Sequence, residues 1–368
     1  MRIPAGILRD LQLLPKAHLH IHLEGAMRPQ TLARYCLNYG IEVPMDTRGM
    51  QFQNFQAFND VYRAASDSIR TKKDLARVIL EVAEDAANDG ALWIEAAFDT
   101  DRYSILRENS PYRLFETPRE GWEFALMTAE EASKATGIGI AFISAIDRTK
   151  PIEHAMRRAQ LTAKIVTTEQ HRIQSGMTGF SGQYNGIVGL GLHGNEEGYP
   201  PEIFREAFQV GAKDAGILSI PHAGEIAPSP GEGAKSVSDA IELLGAARIQ
   251  HGVLAAEDPA LIDKLKIKNI CLDICPSSNI QLSIFPTIKM HPLPELIKAG
   301  VACDIGSDDP LLFGPSLLDE YELCRAEFGF SDEIMATLAR NSFFYSGAPP
   351  EIKETGLSKI DEWLESEK

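Results

Sequence analysis

The chain has 368 residues, of which 44% are hydrophobic and 24% charged, and carries a formal net charge of −16. This composition suits a globular protein with a large core, excludes disorder and collagen-like repeats, and repels phosphate backbones, so no nucleic-acid partner is expected. No apolar run approaches the roughly 18 residues of a membrane span, and Arg9 and Asp10 break the first one. The 5 scattered cysteines fit reduced thiols, so the expected location is cytoplasmic.

In chain order, eight short apolar runs predict strands: Ala17–His22, Leu92–Phe98, Ile138–Ser144, Ile187–Leu192, Ile217–His222, Arg248–His251, Ile270–Ile274 and Val301–Ile305. Segments of helical period follow them, and that alternation predicts a parallel sheet with crossover helices. Between the first two runs, Leu75, Val78, Ile79, Val82 and Ala83 form an apolar stripe, opened by a Thr71/Asp74 capping box and closed at Gly90. Ser236–Gly245 is read as a helix capped through Ser236 and Asp239, and another opens at Asp258-Pro259. Ser316–Gly329 and Asp332–Ser346 are helical, followed by an acidic tail helix ending at Lys368.

The fold expected is α/β, a (β/α)₈ TIM barrel with extra helices over its C-terminal mouth, residues 1–368 forming one domain. A doubly wound sheet finds no phosphate loop or G-x-G-x-x-G after the first strand, and Gly186, Gly189 and Gly191 have a spacing that fits backbone packing. Two connections are long for barrel loops. Residues 23–70 carry Phe52, Phe55, Phe58 and Tyr62, which would cover a substrate or glue an extra helix to the barrel, and residues 99–120 are polar and rich in turns.

His20 and His22 end the first strand two residues apart, so both imidazoles project from one face, half of a metal site. His18 shares that face one pleat deeper and is a poorer ligand. Titratable groups also end other strands: His222 and Glu225 the fifth, His251 the sixth, Asp308 and Asp309 the eighth. Barrel enzymes place catalysis at these C-terminal strand ends. His20, His22 and His222 with Asp308 or Asp309 make a site for a divalent ion such as zinc, with water completing the shell. Glu225, His251 and the other aspartate are then free for proton transfer and for orienting the nucleophile.

The segments PKAHLHIHLEGA (15–26), GLHGNE (191–196), HAGE (222–225), RIQHG (248–252), CPSSN (275–279) and GSDDP (306–310) resemble the adenosine deaminase family, metal-dependent purine deaminases of the amidohydrolase superfamily. The resemblance implies one zinc ion per chain on His20, His22, His222 and Asp308. It implies Glu225 as proton donor to ring nitrogen 1, and His251 either taking the proton of the attacking water or holding that water electrostatically. Asp309 would orient the nucleophile and contact the base, Gly194 would meet the purine ring through its backbone amide, and His22 and Glu24 would complete the substrate contacts.

The implied partner is a small purine nucleoside or base. Adenosine or 2′-deoxyadenosine would be hydrolysed to inosine or 2′-deoxyinosine and ammonia, with aminodeoxyfutalosine or free adenine as alternatives and a different amidohydrolase reaction behind them. Three departures bear on specificity: Glu24 stands where the family's sugar-contacting residue is commonly Asp, Gln250 precedes His251 where Gly is usual, and the second strand reads EAAFDTDRYS. A single metal is favoured over two, because the fourth strand runs into Leu192-His193-Gly194 and Glu196 comes only later. His193 is left unassigned, His154, His171 and His291 receive no role, and Cys271 and Cys275 are read as core.

Overall fold

The computed structural model describes residues 8–104, 112–174 and 186–366. Residues 105–111 of the polar connection, residues 367–368 and the side chain of His171 lie outside the described residues, and the tail helix spans Pro350–Glu365. Eight strands follow one another around a single sheet: β1 (Lys16–His22), β2 (Ala91–Phe98), β3 (Gly139–Asp147), β4 (Ile187–His193), β5 (Leu218–Ala223), β6 (Arg248–His251), β7 (Cys271–Ile274) and β8 (Ala302–Ile305). Every neighbouring pair from β1 to β8 is parallel. Just beyond β8 the circle closes on β1, where the His22 N–H donates to the Asp308 carbonyl and the Asp308 N–H to the His20 carbonyl, both at 3.0 Å. This is the expected (β/α)₈ barrel.

The strands are almost wholly buried on both faces, which is why their sequences read as apolar runs and not as alternations. β3 continues three residues past its predicted end, to Asp147, because strand pairing persists after the apolar pattern stops and carries Asp147 opposite His193. The helix Lys72–Asn88 has both bonds of the Thr71/Asp74 capping box and buries the whole apolar stripe. Asp258 caps Pro259–Lys268, and Ser316 with Asp319 caps Leu317–Phe328.

One helix boundary is corrected. The segment assigned to Ser236–Gly245 runs over Glu232–Leu243, starting after Gly231, and Ser236 lies one turn inside. The Ser236–Asp239 spacing imitates a cap, while Gly231 and Gly233 disguise the true start. Gly189 and Gly191 do serve packing: a Cβ at Gly189 would stand 2.4 Å from Ile220 Cδ1. Among the described residues no helix is long and apolar enough to cross a membrane.

Below the mouth, a buried ion network ties three strands together. Arg248 donates to Glu95 Oε2 at 2.7 Å and to Asp273 Oδ2 at 2.6 Å, all three side chains being inaccessible to solvent. Removing one partner of such a network leaves unpaired charge in a dry core. Arg248→Met is therefore expected to cost about 3–5 kcal/mol, read from the urea midpoint at constant slope. A loss below about 1 kcal/mol, the scale of an exposed pair, would show that the carboxyls do not depend on Arg248.

Candidate active site

His20 and His22 leave β1 on the same face, as the two-residue period requires, and His222 joins them from the end of β5. One nitrogen from each ring and one Asp308 oxygen lie within 4.8 Å of one another, and all four residues are buried. Asp308 Oδ1 stands 3.2 Å from His22 Nε2 and 3.6 Å from His20 Nε2. The His20 and His222 rings meet edge-on with centroids 5.0 Å apart.

Tautomers and protonation suit a metal. His20 Nδ1–H donates to the Asp273 carbonyl at 3.0 Å, which leaves the Nε2 lone pair turned inward, the arrangement that orients metal-binding imidazoles. That Nε2 is buried without a hydrogen-bond partner, and so is His222 Nδ1. Each such atom costs about 1–3 kcal/mol, and a cation at the focus of the quartet would remove that penalty at His20 Nε2. Burial pushes His20 down to about 4 and His222 well below its ordinary range, so both are neutral and free to donate lone pairs. Burial opposes ionisation of Asp308, yet the hydrogen bond from His22 holds its carboxyl well below the usual range. Ser278 Oγ–H fixes the other Asp308 oxygen at 2.7 Å. These residues fit a divalent ion with nitrogen and oxygen ligands.

Beside this quartet sits an acid. Glu225 Oε1 lies 3.4 Å from His251 Nε2. Burial, reinforced by the charges of Asp308 and Glu196, raises the Glu225 carboxyl well above its ordinary range, which favours its protonated form. Its backbone is clamped from β4's loop: the Glu196 carboxylate accepts from the N–H of Gly224, Glu225 and Ile226 at 2.8, 3.0 and 3.1 Å. His251 and Asp308 both adopt positive φ, 62° and 59°, a left-handed backbone that non-glycine residues reserve for special sites.

Asp309 keeps Oδ1 buried and unpartnered, and burial pushes its carboxyl well up. It presses so close to Gly25 that a Cβ there would fall 1.6 Å from Oδ1, so only glycine admits it. Gly194 has φ of +92°, which favours glycine, and it lines the cavity.

The cavity holds about 270 Å³, with His22, His222, Glu225, His251, Asp308 and Asp309 at its base. Phe55, Phe58 and Tyr62, on the helix Phe55–Ser66, form one wall. Phe58 also stacks on Phe313 at 5.3 Å with ring planes 6° apart, so this segment both walls the cavity and anchors its own helix.

Of the residues singled out from the sequence, the structure brings together His20, His22, His222, Glu225, His251, Asp308 and Asp309, with Gly194 higher on the wall. Glu24 does not reach the cavity: its carboxylate accepts from Tyr62 at 3.1 Å and Tyr103 at 3.0 Å, and it is 2% exposed. His18 Nε2 is engaged by the Ser307 hydroxyl at 3.0 Å, away from the ligand quartet. His193 lines the cavity, its ring stacked 5.9 Å from that of His22, and His154 pairs with Asp101 at 2.9 Å. Burial raises the Cys271 and Cys275 thiols well above their ordinary range, in keeping with core positions. Sequence reasoning missed the supporting roles of Glu196 and Ser278, although GLHGNE and CPSSN contain both.

The adenosine deaminase family profile matches residues 15–363. A Streptomyces virginiae protein provisionally named an adenosine/adenine deaminase is 35% identical, the match covering 97% of this chain and 98% of the relative. The adenine deaminase of Vibrio parahaemolyticus is 31% identical over 96% and 97%. Among solved structures, an adenine deaminase from Arthrobacter aurescens superposes with a TM-score of 0.79 at 26% identity, covering 96% of this chain and 99% of that one.

The quartet predicts one divalent ion per metal-replete chain. His20→Ala and Asp308→Ala are expected to lose that ion in elemental analysis while circular dichroism stays native. Full metal content in both variants would place the ligands elsewhere.

Proposed function

The chain belongs to the adenosine deaminase family, hydrolases acting on carbon–nitrogen bonds of cyclic amidines, and on that premise we propose that it removes the 6-amino group of an adenine-type purine, taking free adenine ahead of adenosine. The observation that carries this reading is the buried Glu225 carboxyl, against His251, beside a buried quartet of metal-competent atoms in one cavity.

His20, His22, His222 and Asp308 would hold the ion, for which zinc is our assignment from the three-nitrogen, one-oxygen donor set. Bound there, it would supply Lewis acidity that lowers the pKa of a water to about 7. Glu225 donates its proton to ring nitrogen 1, drawing electrons from carbon 6; water adds there, the carbon–nitrogen bond to the amino group breaks, one water proton leaves with that group as ammonia and the other restores the Glu225 acid. Asp309, with its unpaired Oδ1, orients the attacking oxygen, and the bare backbone at Gly194 lets the ring approach the wall. Phe55, Phe58 and Tyr62 exclude water from that ring.

Glu24 favours the free base. The resemblance gives position 24 the sugar contact, but here each carboxylate oxygen accepts from a tyrosine, Tyr62 or Tyr103, and the side chain is buried behind the cavity lining, which turns it away from a ribose hydroxyl. The name of the Vibrio parahaemolyticus relative points the same way.

Ammonia release should give kcat/KM for adenine about 100-fold above that for adenosine, the scale on which a pocket without a partner for an added hydroxyl rejects it. The reverse order would overturn the preference and leave deamination standing. Glu225→Gln should lower kcat by about 10²- to 10⁴-fold with metal content unchanged. Near wild-type turnover in that variant would remove Glu225 from the proton-donor role.

A further inference from the structure

We propose that Asn279 and His291 lock His251 in the tautomer bearing its proton on Nε2, so that His251 meets the reacting centre as a hydrogen-bond donor and not as a base. The consequence for catalysis rests on the deaminase reading; the tautomer itself does not.

The argument begins at a group with no choice of direction. The Leu293 backbone N–H can only donate, and it donates to His291 Nδ1 at 3.1 Å. That nitrogen therefore carries a lone pair, which rules out the imidazolium and puts the His291 proton on Nε2. Burial acts in the same sense. His291 Nε2–H then donates to Asn279 Oδ1 at 3.0 Å. With its oxygen committed to His291, the Asn279 amide turns its nitrogen toward His251 Nδ1, 3.3 Å away. An amide nitrogen only donates, so His251 Nδ1 must accept, and the proton of the neutral ring sits on Nε2.

The path is closed to bulk solvent: His251 and Asn279 are 0% exposed and His291 is 1% exposed. Asn279 is anchored as well: its N–H bonds the Cys275 carbonyl at 3.1 Å and its own carbonyl accepts from Ile284 at 2.9 Å. At the far end, His251 Nε2 faces Glu225 Oε1 at 3.4 Å and Asp308 Oδ2 at 3.8 Å and has no other partner. The sequence left two roles open for His251, taking a proton or holding the attacking oxygen. A ring already protonated at Nε2 offers no lone pair to the cavity, so only the second role remains. Asn279 and His291 are positioning residues that act through it, and His291, unassigned from the sequence, gains a function.

The test is the ring-nitrogen spectrum of metal-loaded enzyme labelled with ¹⁵N-histidine, with His251 assigned by the signal lost in His251→Gln. The expected result is a protonated Nε2 and a bare Nδ1 at His251. The opposite pattern in the wild type overturns the proposal, whatever the variants do. Asn279→Asp is nearly isosteric but replaces the donor with a second acceptor, which forces a proton onto His251 Nδ1. It should lower kcat about 10- to 100-fold, the scale of lost supporting contacts, with metal content unchanged. KM should stay within about twofold, since ground-state binding is untouched. Turnover equal to wild type in that variant would also overturn the proposal. His291→Gln, whose amide can still donate to Asn279, should retain more turnover than His291→Leu; equal losses would count against the relay. Absence of purine deamination in the wild type would sink the functional reading, while the nitrogen spectrum would still decide the tautomer.

Discussion

The barrel closes through the backbone of the residues that ring its candidate metal site. The two bonds joining β1 to the segment after β8 run between His22 and Asp308 and between Asp308 and His20. The bonds that close the sheet therefore also bring three of the quartet together. A parallel barrel sends all its strands out at the same end, so side chains from residues 20 to 309 of the sequence meet there on the strand ends and the turns that follow them. Positive φ at Asp308 and His251 turns the chain sharply at two of those exits and aims their side chains inward.

Such a cluster is costly to hold together. Imidazoles and carboxyls are packed together in a buried site, and several of their polar atoms have no protein partner. The surrounding shell keeps them in place with bonds that fix direction as well as position. Asp273 illustrates the economy: its carboxylate binds Arg248 while its carbonyl accepts from His20, so the ion network under the mouth also sets a ligand's tautomer. Glu196 does the same for the backbone carrying Glu225, and Ser278 for Asp308. Asn279 and His291 extend this shell to His251.

The aromatic helix over the mouth links stability to access. Phe58 stacks on Phe313, which follows directly on the strand end bearing Asp308 and Asp309, and the same ring walls the cavity. Tyr62 on the next turn bonds Glu24. Packing of this helix thus decides how position 24 presents itself to a substrate.

The sequence by itself determined the eight strands, most of the helix caps and the seven residues at the base of the site, because strand period, apolar runs and capping pairs are local and each functional group ends a strand. It misplaced the start of Glu232–Leu243, where an internal Ser–Asp pair imitates a cap and glycines hide the real one. It could not see that Tyr62 and Tyr103 occupy Glu24, contacts made 38 and 79 residues apart. Nor could it give His291 a purpose, since that depends on a neighbour 12 residues away that in turn reaches 28 residues back to His251. Which residue types stand at the strand ends is written in the chain; which atom of each carries the proton or the free lone pair was decided only by the neighbours that folding brought against them.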